Sequence, residues 1–198
     1  MIEIDPEGDL RVNVIEYDYD ATSADGSHPF LRQAAFKVSR KILAENSTVF
    51  KKMLTGNFAE AKRDAVTIEE DTVASVELWF RTLHGCLDED CFLIEIKEVW
   101  EAIQVAHKYN FHMEKLEKWY KEYYDRLDIG TFDVQTLTSL MFPSQEFDYP
   151  NAFSALTQKI AYEAVGGDII EHNPTRHRNL HVEGRVFRKL LIPIVLIV

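Results

Sequence analysis

His84, Cys86 and Cys91 form a His-x-Cys-x4-Cys set, three soft donors in one short stretch. Structural zinc takes four ligands, commonly with cysteines in Cys-x2-Cys pairs, and no second pair exists here. The set reads as a small apolar cysteine near a helix end plus a loop cysteine. His172, His177 and His181 would converge on a helix, but Pro174 argues for a loop, so they read as a solvated polar segment. A Cys/His nucleophile pair needs a third orienting group and a cleft, and the sequence shows neither. There is no Gly-x-Gly-x-x-Gly, phosphate loop, Gly-x-Ser-x-Gly or His-Glu-x-x-His. The runs Glu69-Glu70-Asp71 and Asp88-Glu89-Asp90 fall at a helix start and in a loop, and negative charge at a helix start is favourable by itself. No catalytic residue, metal ligand or cofactor is therefore assigned. An enzyme that uses a metal held by these cysteines and histidines stands as the weakest functional reading.

The elements around these residues form an ordered series. Leu10, Val12 and Val14 alternate with Arg11 and Asn13, the pattern of a strand with one buried face. A polar stretch from Tyr17 to His28, with the turn signal Asp25-Gly26, separates it from a second strand at 34–38. Helical residues 40–44 and 47–55 follow, with Ser47 placed to cap the second and Gly56-Asn57 to stop it. Val66 and Ile68 mark a third strand. Asp71 is expected to cap a helix running to Leu83, with Gly85 just past its end and Val73, Val76, Phe80 and Leu83 as its apolar stripe. Ile96, Val99, Trp100, Ile103 and Ala106 make a further stripe, and Leu116, Trp119, Tyr120, Tyr123 and Leu127 another. A shorter helix carries Val134, Leu137, Leu140 and Met141, with Pro143 beyond its end. Pro150 suits the first turn of the next helix, which stops at Gly166-Gly167. Trp100 and Trp119 read as core, whereas Trp79 and Tyr124 are candidates for exposure. Strands followed by runs of helices predict an α+β fold, a small three-stranded sheet capped by helices.

Charge is uneven. The formal net charge is −11, which argues against a nucleic-acid partner. Residues 1–30 hold eight acids against Arg11, a net of −7. Arg176, Arg178, Arg185, Arg188 and Lys189 lie near the other end beside Glu183. Both stretches read as solvated termini. Two cysteines are no disulfide framework, which fits an intracellular compartment, cytoplasmic or nuclear. No signal peptide and no membrane-spanning run is expected. Leu190-Leu-Ile-Pro-Ile-Val-Leu-Ile-Val198 is apolar and strand-prone. It stands open as a strand on the helical tail, a partner-binding strand or an artefactual chain end.

The motifs carry a resemblance. Gly8-Asp-Leu10, Phe36-Lys-Val38 with Ile42-Leu43-Ala44, Ser47-Thr-Val-Phe50, Met53-Leu54, Phe58-Ala-Glu60, Ile68-Glu-Glu-Asp71, Leu83-His84-Gly85 and Ala106-His107-Lys108-Tyr109 stand in one order and spacing. Together they resemble a BTB/POZ domain of the variety common in fungal proteins. The resemblance covers about 9–127, preceded by an acidic tail at 1–8 and followed at 128–198 by a helical C-terminal extension with an apolar tail. Ser39-Arg40 departs from the histidine-lysine that many animal members carry.

The resemblance implies a non-enzymatic protein-interaction module whose partners are itself and other proteins. Homodimerisation would use the N-terminal strand and first helices, with Leu10, Val12, Val14, Ile42, Leu43, Phe50 and Leu54 at the interface. A self-complementary patch across a two-fold buries more area than either element alone. It also implies an alternative role as substrate adaptor of a cullin-family ubiquitin ligase, where Leu93-Ile94-Glu95 fits the loose apolar-x-Glu signal, with Leu93 and Glu95 as contacts.

Overall fold

A computed structural model describes residues 1–56, 63–164 and 170–182. The expected features at Phe58-Ala-Glu60, Gly166-Gly167 and 186–198 lie outside the described residues. The chain divides into two compact units, Met1–Ile94 with Gln104–Lys115, and Glu95–Ile103 with Leu116–Val198.

In the first unit, four strands form one sheet in the order β1-β3-β2-β4: β1 (Ile2–Glu3), β2 (Leu10–Tyr17), β3 (Phe30–Val38) and β4 (Ala65–Glu69). β2 is central, antiparallel to β3 and parallel to β4, with Val12 opposite both Phe36 and Val66. Because side chains alternate along a strand, Leu10, Val12, Val14, Phe36, Val38, Val66 and Ile68 all fall on one buried face. The sheet has one strand more than expected. The acidic N-terminal tail supplies it: Ile2 pairs in parallel with Phe36, and Ile4 is buried. A two-residue strand is too short to show an alternating pattern, so only the pairing reveals it.

Helices α1 (Arg40–Asn46) and α2 (Thr48–Thr55) follow β3. Ser39 caps α1, and Ser47 caps α2 by accepting from the Phe50 N–H at 2.9 Å. Helix α3 (Val73–His84) is capped by Thr72, whose hydroxyl accepts from the Ser75 N–H. Asp71 is not the cap. Gly85 ends α3 at φ 68°, a left-handed position that costs glycine little. Trp79 is fully buried, stacked on Phe111 at 4.9 Å, so the expectation of an exposed Trp79 is corrected. Phe50 is the centre of an aromatic cluster, with ring centroids 5.0 Å from Tyr109, 5.9 Å from Phe111 and 6.3 Å from Phe80.

Helix α4 (Ile96–Tyr109) contributes residues to both units. The second unit adds α5 (Glu114–Asp125, from Leu116 on), α6 (Val134–Ser139), α7 (Met141–Glu146) and α8 (Pro150–Glu163). Its core gathers Val99, Trp100, Leu116, Trp119, Tyr120, Leu140, Phe142, Phe147, Leu156 and Ile160. The Trp100 indole N–H donates to the Ser139 carbonyl at 2.7 Å, and Tyr120 shares a hydrogen bond with Ser144 at 2.8 Å. Tyr124 is buried rather than exposed, and Pro150 opens α8 as expected. Pro143 lies beyond the end of α6, as expected, but a further helix begins there. It sits in the first turn of α7, where its missing N–H costs nothing. Among the described residues no helix is long and apolar enough to cross a membrane.

Candidate protein-interaction surfaces

The three soft donors His84, Cys86 and Cys91 each make hydrogen bonds within the fold. Both ring nitrogens of His84 are used: Nδ1–H donates to the Phe80 carbonyl at 2.7 Å, and Nε2 accepts the Ser39 N–H at 3.0 Å. That geometry fixes one neutral tautomer and leaves no lone pair for a metal. Neither cysteine is in a disulfide. Burial pushes the Cys91 thiol up to about 11 and raises Cys86 as well, the reverse of what a nucleophile needs. Among the described residues no three metal-ligating side chains cluster.

The expected solvated histidine segment is more ordered than its sequence suggests. In the second unit, His177 Nε2 lies 3.0 Å from the Glu101 carboxylate, and both side chains are largely buried. Asn173 organises the segment: its amide donates to the His177 and Leu180 carbonyls, and its oxygen accepts the Thr175 N–H. Leu180 and Val182 are buried. Asn173-Pro174 signals a loop, but nothing local to the segment names Glu101 as the partner.

Asp71 carries a second buried polar centre. Its carboxylate accepts from Tyr109 Oη at 2.6 Å and Lys108 Nζ at 2.9 Å, and Lys108 also donates to the Glu69 carbonyl. Burial, reinforced by the Asp71 charge, holds the Tyr109 phenol far above its ordinary range. These groups fasten the end of α4 to the start of α3 within the first unit.

Two surfaces among the described residues bear on partner binding. The first is the turn after α3. Asp88 accepts the Cys91 N–H at 3.3 Å and opens a 3-10 turn over Glu89–Phe92. Arg81 braces it, 2.8 Å from Asp88 and 2.8 Å from Glu77. Burial pushes the Asp88 carboxyl up, but the bonds from Cys91 and the Arg81 charge outweigh it, and the group settles below its ordinary value. The turn holds Leu93 out at 77% exposure, with Leu87 also exposed. Beside it lies a groove of about 210 Å³ lined by Ala74, Leu78, Arg81, Cys91 and Ile94. Glu95 is exposed too, and its carbonyl accepts the Glu98 N–H at the start of α4.

The second surface is the outer side of α1 and α2. Leu10, Val12, Val14, Leu43, Phe50 and Leu54 are buried inside the first unit and do not reach it. Ile42 is half-buried. Lys41 and Glu45, an exposed i,i+4 pair at 3.9 Å, join Arg40, Ala44, Thr48, Lys51 and His112 in lining a concavity of about 550 Å³ that Ile42 itself does not line.

Compared with protein-family profiles, residues 30–126 match the BTB/POZ domain. No curated protein matches the chain. The BTB/POZ domain is a protein–protein interaction module, with a mixed α+β fold of small sheet and helices. The matched stretch opens at the first residue of β3 and closes just after α5. It leaves out β2, yet among the described residues β4 pairs only with β2, so the sheet of the matched stretch needs residues 10–17 as well. Within the domain, Lys108 and Tyr109 of the Ala-x-Lys-Tyr helix end are the two groups that meet Asp71.

Proposed function

We propose that the chain is a non-enzymatic interaction protein that works as a substrate adaptor of a cullin-family ubiquitin ligase, with Leu93 and Glu95 at the docking site. The observation that carries this reading is the presentation of Leu93. It is the most exposed large apolar side chain among the described residues of its unit, and it stands on a turn braced by Arg81 and Asp88. A preorganised apolar anchor loses little entropy when a partner covers it, and acidic Asp88, Glu89 and Asp90 beside it favour a basic partner surface. The BTB/POZ domain and the resemblance to cullin-binding members point the same way.

Co-purification with a cullin tests it. Leu93→Asp and Glu95→Arg are each expected to abolish capture while leaving the melting temperature unchanged. Capture that survives both substitutions would remove this site, and a native chain that brings down no cullin would remove the reading.

Homodimerisation is a second reading, supported by the half-buried Ile42 of α1 and, separately, by the concavity lined by α1 and α2. The buried members of the expected interface contribute through the shape of the protomer rather than by contact. Light scattering on a size-exclusion column, across a dilution series, separates a persistent mass near twice 23.0 kDa from a monomer. The helices after residue 126 support the comparison with the helical extension of fungal members.

A further inference from the structure

We draw no further inference here: the strongest candidate, the sheet edge of β3 at residues 33–35 beyond the end of β1, is closed on one side by the pairing of Ile2 with Phe36 and interrupted on the other by the register shift that leaves Leu31 unopposed between Glu16↔Arg32 and Tyr17↔Phe30, and nothing in the structure shows what covers it.

Discussion

The Tyr109 hydroxyl donates to the buried Asp71 carboxylate over 2.6 Å, joining the last helical residue of α4 to the residue just before the α3 cap. Lys108 reaches the same oxygen at 2.9 Å, so one carboxylate oxygen accepts from a cation and a phenol together. A buried carboxylate that loses a partner keeps its desolvation penalty without the compensating bond.

Tyr109→Phe is therefore expected to destabilise the protein by about 2 kcal/mol, the scale of a buried charged hydrogen bond. Denaturant unfolding gives the value directly. An unchanged midpoint would show that the hydroxyl does not hold the end of α4.

Gly8→Ala tests the sheet. A Cβ at Gly8 would sit 2.6 Å from the Val38 carbonyl oxygen and 2.7 Å from its carbon, both backbone atoms of β3. A clash with backbone cannot be relieved by a rotamer change, so the loss is expected at about 1–3 kcal/mol, with the N-terminal strand displaced first. Proteolysis near residue 8 that proceeds no faster than in the native chain would count against the close approach.

Cys91 predicts slow alkylation. With its thiol pushed up to about 11, the thiolate fraction at pH 8 is on the order of one in a thousand in the folded protein. Denaturant should accelerate labelling strongly. The folded value lies above the unfolded one, so this group's contribution to stability is fully present below pH about 8.5 and fades as pH rises toward 11. Rapid labelling of the native protein at pH 8 would contradict this.

Ile42→Lys and Leu43→Lys are adjacent substitutions with opposite expected outcomes. Leu43 is fully buried, and a lysine there should cost several times RT, on the order of 3 kcal/mol or more, and unfold much of the population. Ile42 is half-buried, and its substitution should leave the fold in place and change only the dilution-dependent mass. Circular dichroism and light scattering on the same samples separate the two effects. A native-like melt for Leu43→Lys would break the burial assignment.

His177→Ala should strand the Glu101 carboxylate and cost about 1–3 kcal/mol. It should also open residues 170–182 to trypsin at Arg176 and Arg178, both exposed. Adding Glu101→Gln to His177→Ala is expected to restore part of the loss, because a neutral amide is less costly to bury alone. Equal cleavage in native and variant chains would mean that Asn173, Leu180 and Val182 hold the segment without the Glu101 contact.

Much of the fold was legible because its signals are local. Leu10, Val12 and Val14 declare a strand by alternation, and Ser47, Gly85 and Pro150 mark helix boundaries by backbone chemistry that depends on their immediate neighbours. Asp71 misled for the same local reason: acid before an apolar stripe is a good cap, and Thr72 next to it is an equally good one. The aromatic stripe left Trp79 ambiguous, since only the placement of Phe111 against it decides that the ring is buried.

By itself the sequence determined the element types, the sheet-then-helices order and the family resemblance, all of which follow from periodicity, caps and motif spacing along the chain. Tertiary structure decided which apolar residues the protomer keeps for its own core. Leu10, Val12, Val14, Leu43, Phe50 and Leu54 are consumed by the first unit, while Leu93 is left in solvent. It also chose the partners of the buried charges, Asp71 with Tyr109 across 38 residues and Glu101 with His177 across 76. A surface pattern and a core pattern have the same period. Only the chain's long-range closure, which matches a buried charge to a distant donor or an apolar stripe to a distant face, separates them.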